Sequence, residues 1–162
     1  MVSKDCLSDG VNVEVSIIIP VRNEELYIEN CIRSVLNQDY NKENMELILI
    51  DGLSDDKTVE IIKSFKEKYD FIKLFKNENK TVQSALNIGI ENALGKFIVR
   101  MDAHSEYKED YVCKCVEYLT KTCADNVGGP MRARGKNTVQ SVVAAAYNSP
   151  FALGGGKFHN EN

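Results

Sequence analysis

At 162 residues the chain has the size of one domain, and with 43% hydrophobic and 27% charged residues it can build a core and keep a solvated surface. A net charge of −4, with no long basic block, speaks against sequence-independent nucleic-acid binding, which needs Lys and Arg massed against phosphates. The five cysteines, Cys6, Cys31, Cys113, Cys115 and Cys123, are odd in number and irregular in spacing, so they read as reduced thiols of a cytosolic protein rather than a disulfide framework.

Met1 to Asn12 is polar and has no apolar signal core; residues 1–13 are expected to be a tail. No run approaches the roughly 18–20 apolar residues of a membrane span. Val15-Ser16-Ile17-Ile18-Ile19 is a continuous β-branched run ended by Pro20, the pattern of a strand covered on both faces. Ile28, Cys31, Ile32, Val35 and Leu36 recur at helical spacing and predict an amphipathic helix over about residues 24–37. Met45 to Ile50 predicts a second strand, ending on Asp51-Gly52. Ser54-Asp55-Asp56 then offers helix-capping chemistry, and Val59, Ile62, Phe65 and Tyr69 carry the next helical stripe.

Phe71 to Phe75 predicts a third strand. Thr81 to Leu94 predicts a third helix, with Gly95 as its C′ residue, and Lys96 to Met101 a fourth strand ending on Asp102. A helix over Lys108–Thr122, a strand near Val127 and a helix over Thr138–Tyr147 complete the pattern. Cys113 and Cys115 fall in the first of these helices, where positions i and i+2 do not share a face, so they read as buried or half-buried thiols rather than a metal pair. Residues 14–148 are expected to form the domain, and the Gly-rich residues 149–162 a flexible tail.

Alternating strands and helices imply an α/β domain with a mainly parallel sheet and helices on both faces. Ligands of such sheets bind beyond the carboxyl ends of the strands. The residues there are Pro20-Val21-Arg22-Asn23-Glu24, Asp51-Gly52, Lys76-Asn77 and Asp102-Ala103-His104. Each aspartate could either cap the following helix or serve a site. Asp102 and His104 flank one residue in an extended or turn segment, and an O/N pair of that kind suits Mn²⁺ better than Mg²⁺; a hydrogen-bonded loop histidine is the other reading. There is no G-x-x-x-x-G-K-[ST] and no G-x-G-x-x-G after the first strand, which argues against a P-loop NTPase or an NAD-binding domain. A phosphoacceptor role for Asp51 would need an acidic pair after the first strand, where Pro20-Val21-Arg22-Asn23 stands instead.

Val15 through Glu25, Asp51-Gly52-Leu53-Ser54-Asp55-Asp56 with Thr58, Asn77 through Ala85-Leu86-Asn87-Ile88-Gly89, and Arg100-Met101-Asp102-Ala103-His104, in that order, resemble family 2 glycosyltransferases of the GT-A fold. Val127-Gly128-Gly129-Pro130-Met131-Arg132 and Ser149-Pro150-Phe151-Ala152-Leu153-Gly154-Gly155 are similar to the succinoglycan and exopolysaccharide-biosynthesis subgroup. The resemblance implies a Rossmann-like fold that binds a nucleoside-diphosphate sugar, above all a UDP-sugar. It places Pro20, Val21, Arg22 and Glu24 along the nucleotide end of the donor pocket, Asp51 on the base, Lys80 and Gln83 near the donor, and Asp102 and Ala103 in a D-x-D-type element. Asp102 and His104 would hold a divalent cation, Mn²⁺ or Mg²⁺. His104 departs from the commoner Asp, and its softer imidazole favours Mn²⁺.

The implied reaction is inverting transfer of the sugar to a glycan or lipid-linked acceptor in polysaccharide biosynthesis, at the cytoplasmic face of the membrane in a full-length parent. Such transfer needs a general base. The family's acidic motif for it is expected beyond the Gly-rich stretch, so the catalytic residue is unassigned and the chain reads as truncated. The alternative is a non-catalytic fragment that binds a nucleotide sugar. Glu106, Glu109 and Asp110 read as helix-start residues.

Overall fold

The computed structural model describes residues 13–122, 124–129, 133, 135 and 137–149. Expectations for residues 1–12, for Pro130-Met131-Arg132, for the Gly-rich residues 150–162 and for Cys6 and Cys123 lie outside the described residues. The chain forms two compact units, Met1–Val116 and Glu117–Asn162, and the sheet and all the candidate site residues belong to the first.

In that unit the strands are β1 (Val15–Val21), β2 (Met45–Asp51), β3 (Ile72–Lys76) and β4 (Phe97–Arg100). They form a four-stranded parallel sheet in the order β3-β2-β1-β4. The helices between them are α1 (Ile28–Leu36), α2 (Thr58–Lys66) and α3 (Val82–Glu91), and α4 (Tyr111–Thr122) begins in this unit and ends in the second. The continuous apolar runs have the cause read from the sequence: side chains alternate across the strand and both faces are covered. Ile17, Ile19, Val21, Leu47 and Leu49 pack with Ile28, Cys31, Ile32 and Val35 of α1 and with Ile62 and Phe65 of α2. Ile18, Ile48 and Ile50 turn to the other face and pack with Ala85 of α3. Each fully buried Ile or Leu stabilises the fold by about 1.5–3 kcal/mol.

Several boundaries move, each for a local reason. α1 begins at Ile28 because the Glu24 carbonyl gathers the N–H groups of Tyr27 and Ile28 in a turn (2.9 and 2.8 Å). α2 ends at Lys66, so Tyr69 lies beyond it and is exposed, while Thr58 takes part in its buried face. α3 ends at Glu91, and Gly95 is not its C′ residue. A methyl group on Gly95 would stand 2.6 Å from the Ser16 N, so glycine is needed there for close approach to β1. A methyl on Gly89 would stand 2.5 Å from Ile18 Cγ2, which is how closely α3 lies on the sheet.

In the second unit α5 (Thr138–Tyr147) forms as predicted, with the Asn137 side chain accepting from the Gln140 N–H at 2.9 Å. The strand expected near Val127 is absent among the described residues. Asp125, Asn126, Gly128 and Gly129 are exposed around it, and a strand without a hydrogen-bonding neighbour is not held. No helix of the described residues is long and apolar enough to cross a membrane.

Candidate donor site at the strand ends

The register brings the candidate residues to one level. Val21, the last residue of β1, pairs with Asp51, the last of β2, and Asp51 pairs with Lys76, the last of β3. On the other side of β1, the Met101 N–H donates to the Ile18 carbonyl (3.0 Å) and delivers the chain to Asp102. β1 therefore has its sequence successor β2 on one flank and β4 on the other, the reversal point at which parallel sheets open a crevice.

The loops after β1 and β2 interlock. The Asn23 N–H donates to Ser54 Oγ (2.9 Å) and Asn23 Oδ1 accepts from the Asp55 N–H (3.1 Å). The Glu24 N–H donates to Thr58 Oγ1 (2.8 Å), the Glu25 N–H to Asp56 Oδ2 (3.1 Å), and Glu25 Oε2 accepts from the Lys57 N–H (3.1 Å). Asp56 also accepts from the Thr58 N–H at 2.9 Å, so it, rather than Ser54, serves the start of α2. Among the described residues three non-glycine residues sit at left-handed φ, Asn23 (55°), Leu53 (59°) and Lys80 (58°), one in each of the loops after β1, β2 and β3. Each such conformation costs about 1–3 kcal/mol; the cross-loop bonds hold the loops of Asn23 and Leu53, and the Asn77 side chain braces the loop of Lys80 from within.

Asp51 does not cap α2. Its carboxylate, only 7% exposed, accepts from the Ser54 hydroxyl at 2.6 Å and the Ser54 N–H at 3.2 Å, and so braces its own loop. Its carbonyl accepts from the Asn77 N–H (2.7 Å). Arg22 lies across Gly52, where a methyl group would come 3.4 Å from its Cδ. Pro20 is half-buried in β1, and the Val21 side chain is buried in the core, its carbonyl taken by the Gly52 N–H at 2.8 Å.

Asp102 begins a turn, with its carbonyl accepting from the Ser105 N–H at 3.1 Å, so the segment is bent rather than extended. Ala103 is buried as the turn's anchor in the core. The Asp102 N–H donates to the Tyr107 hydroxyl (2.8 Å), and the Cys31 thiol donates to the Asp102 carbonyl (3.6 Å). The Asp102 carboxylate, 47% exposed, meets Arg100 at 3.1 Å. His104 Nδ1 lies 3.2 Å from Glu24 Oε1, which joins the loop after β1 to the turn after β4. The half-exposed Arg100–Asp102 pair contributes about 0–1 kcal/mol, and the Glu24 contact occupies one of the two ring nitrogens of His104, so neither locks these donors away from a cation. Among the described residues no three His, Cys, Asp or Glu side chains are arranged to hold a metal ion by themselves.

The structure thus gathers Arg22, Glu24, Asp51, Asp102 and His104 around the end of β1. Lys80 and Gln83 are exposed in the loop after β3 and the first turn of α3, and make no side-chain polar contact with the others. Tyr107 was not singled out from the sequence, and Ser54, Thr58 and Asn77 stood there only as a capping, a motif and a strand-end residue, without these contacts. Their signal was faint: a polar residue within a few positions of a strand end. Asn77, 2% exposed, bonds the Thr81 carbonyl (2.8 Å) and the Asn79 N–H (3.2 Å) and so shapes the third loop.

Residues 16–159 match the family described as Glycosyl transferase family 2. The chain belongs to that family. Among curated relatives it is 36% identical over 151 residues to a dolichyl N-acetyl-alpha-D-glucosaminyl phosphate 3-beta-D-2,3-diacetamido-2,3-dideoxy-beta-D-glucuronosyltransferase of Methanococcus voltae, covering 89% of this chain and 47% of that protein. It is 32% identical over 143 residues to the succinoglycan biosynthesis protein ExoA of Rhizobium meliloti, covering 87% and 43% respectively. The chain therefore spans less than half the length of these relatives. Its fold is that of TarS 1-349 from S. aureus in complex with UDP-GlcNAc (TM-score 0.62, 20% identity, 75% of this chain and 38% of that one). It is also that of the mannosyltransferase PcManGT from Pyrobaculum calidifontis in complex with GDP-Man and Mn²⁺ (TM-score 0.65, 24% identity, 74% and 35%). The family 2 domain and the GT-A fold implied by the sequence are both established.

Proposed function

We propose that this chain is the donor-binding part of a glycosyltransferase that moves a sugar, with inversion, from a nucleoside diphosphate to a glycan or lipid-linked acceptor. The observation that carries this reading is the convergence of the loops after β1, β2 and β4 at one end of a family 2 sheet. In it, the Asp51 carboxylate keeps lone pairs beyond its bonds to Ser54 and accepts an imide N–H of the base, as uracil offers. Arg22, exposed beside Gly52, faces the same end with a cation for the diphosphate. A structural neighbour bound to UDP-GlcNAc supports UDP, and one bound to GDP-Man marks the competing base.

Asp102 and His104 fit a divalent cation by their chemistry: an oxygen and a nitrogen donor, 47% and 62% exposed, with room for phosphate oxygens to complete the shell. When bound, the cation neutralises charge on the departing diphosphate. The neighbour holding Mn²⁺ is in keeping with this. A second reading, donor binding without turnover, is favoured by the site's carboxylates. Glu24, Asp51 and Asp102 each have a role in their loop or in the metal element, which leaves the general base unassigned.

Calorimetry with UDP-GlcNAc, GDP-mannose and ADP-glucose, in Mn²⁺, in Mg²⁺ and in EDTA, tests the proposal. The expected result is binding of a UDP-sugar that needs metal, prefers Mn²⁺ and falls roughly 10-fold or more in Asp102→Asn. Binding of no nucleotide sugar, or binding indifferent to EDTA, contradicts it.

A further inference from the structure

The geometry points to Glu24 as the residue that orients His104, leaving Nε2 of the imidazole as the atom that meets the cation. The inference rests on the metal reading just proposed and deepens it. Glu24 was assigned from the sequence to the nucleotide end of the pocket, but its carboxylate turns to the opposite side of β1.

His104 Nδ1 stands 3.2 Å from Glu24 Oε1. An ionised carboxylate can only accept, so in the neutral imidazole Nδ1 carries the proton and Nε2 carries the lone pair. Metal-binding histidines characteristically give their second ring nitrogen to a carboxylate or carbonyl, which fixes the tautomer, sets the ring plane and raises the basicity of the other nitrogen. Glu24 is suited to this. Its side chain is 20% exposed against 62% for His104, so the anchoring group is the sheltered one and the anchored ring the open one. Its backbone is fixed from both directions, the N–H on Thr58 Oγ1 at 2.8 Å and the carbonyl on the first N–H groups of the α1 turn at 2.8 and 2.9 Å. His104 by contrast stands in a two-residue turn and has Glu24 as its ring's polar contact. A mobile imidazole without that contact would have to be ordered at the moment of metal binding. Through Glu24, the loop interlocked with α2 sets the position of a side chain on the far flank of β1.

Two readouts test this on the intact chain. The first is ¹⁵N NMR of the neutral His104 ring without metal: wild type is expected as the Nδ1–H tautomer, and Glu24→Ala as the Nε2–H-rich mixture of free imidazole. The second is Mn²⁺ affinity by loss of the free-ion electron paramagnetic resonance signal, with saturating UDP. Glu24→Ala is expected to weaken Mn²⁺ roughly 10–100-fold. Glu24→Gln, whose amide oxygen still accepts from Nδ1–H, is expected to recover most of that loss, and melting curves for both variants establish that they are folded. Equal losses in Gln and Ala would mean that Glu24 ligates the cation directly and overturn the inference, as would a wild-type Nε2–H tautomer or an unchanged Mn²⁺ affinity in Glu24→Ala. Failure of the underlying metal reading looks different: wild type itself, and His104→Ala with it, would leave the Mn²⁺ signal untouched.

Discussion

Asp102 is held at its backbone, not at its carboxylate. The Tyr107 hydroxyl takes its N–H, the Cys31 thiol and the Ser105 N–H take its carbonyl, and among the described residues the side chain is tied by the half-exposed contact to Arg100 alone. On the proposed metal reading, the carboxylate exchanges Arg100 for a cation while the peptide stays in place. Cys31 belongs to the support. Burial first, and then the charges of Glu24, Asp102 and Glu106, push its thiol up to about 12. The reactive form is the thiolate, so Cys31 is inert at neutral pH. Iodoacetamide on the native protein, followed by peptide mass mapping, is expected to modify the exposed Cys113 and leave Cys31 unmodified until denaturant is added; early alkylation of Cys31 would contradict this placement. In the sequence Cys31 read only as a core position of a helix, because nothing in a 3.6-residue repeat tells which backbone carbonyl a buried thiol will meet.

Elements are joined at the amino ends of the strands by one buried carboxylate. Glu46 of β2, 2% exposed, accepts from the Ser16 hydroxyl of β1 (2.6 Å), from Lys73 Nζ of β3 (2.6 Å) and from the Leu94 N–H just before β4 (2.6 Å). Burial alone would raise the Glu46 carboxyl, but these bonds outweigh it and hold it below the usual carboxylate value of 4.5. A depressed folded-state value means stability that is present above that ordinary value and lost as the pH falls through the lowered one. Glu46→Gln is expected to cost about 3 kcal/mol at neutral pH, the low end for breaking a buried pair because Lys73 remains partly in water. Thermal melts at pH 7, 5 and 3 check it: the gap between wild type and variant should narrow only on the acid side, and a gap independent of pH would refute the account. The sheet itself was legible because period and continuity of hydrophobic residues are local. Element ends were less so: Gly95 carries the mark of a helix terminus in the sequence, but its use is contact with β1 across a long sequence separation. The strand expected at Val127 failed for the same reason, since its partner is not written in its own residues.

On the scale of the whole molecule, the two ends of the sheet do different things. The amino ends carry the fully bonded Glu46 cluster, whereas the carboxyl ends carry left-handed residues, the half-exposed Asp102 carboxylate and an open imidazole. The strand-end rule picked out Asp51, Asp102 and His104 from sequence because topology alone sends such residues to one crevice. It did not tell which side chains meet there, since the Glu24–His104 contact depends on the loop after β1 interlocking with α2. The central claim is that this crevice takes a nucleotide sugar through a cation at Asp102 and His104. Its most direct test is paramagnetic broadening in ¹H–¹⁵N spectra of the UDP-saturated protein on adding substoichiometric Mn²⁺. The account predicts that amide signals of Arg22–Glu24 and Asp102–Glu106 vanish first, while those of Lys42–Met45 and Asp70–Ile72 at the opposite end persist. Uniform broadening, or broadening centred away from the Asp102 turn, would contradict it.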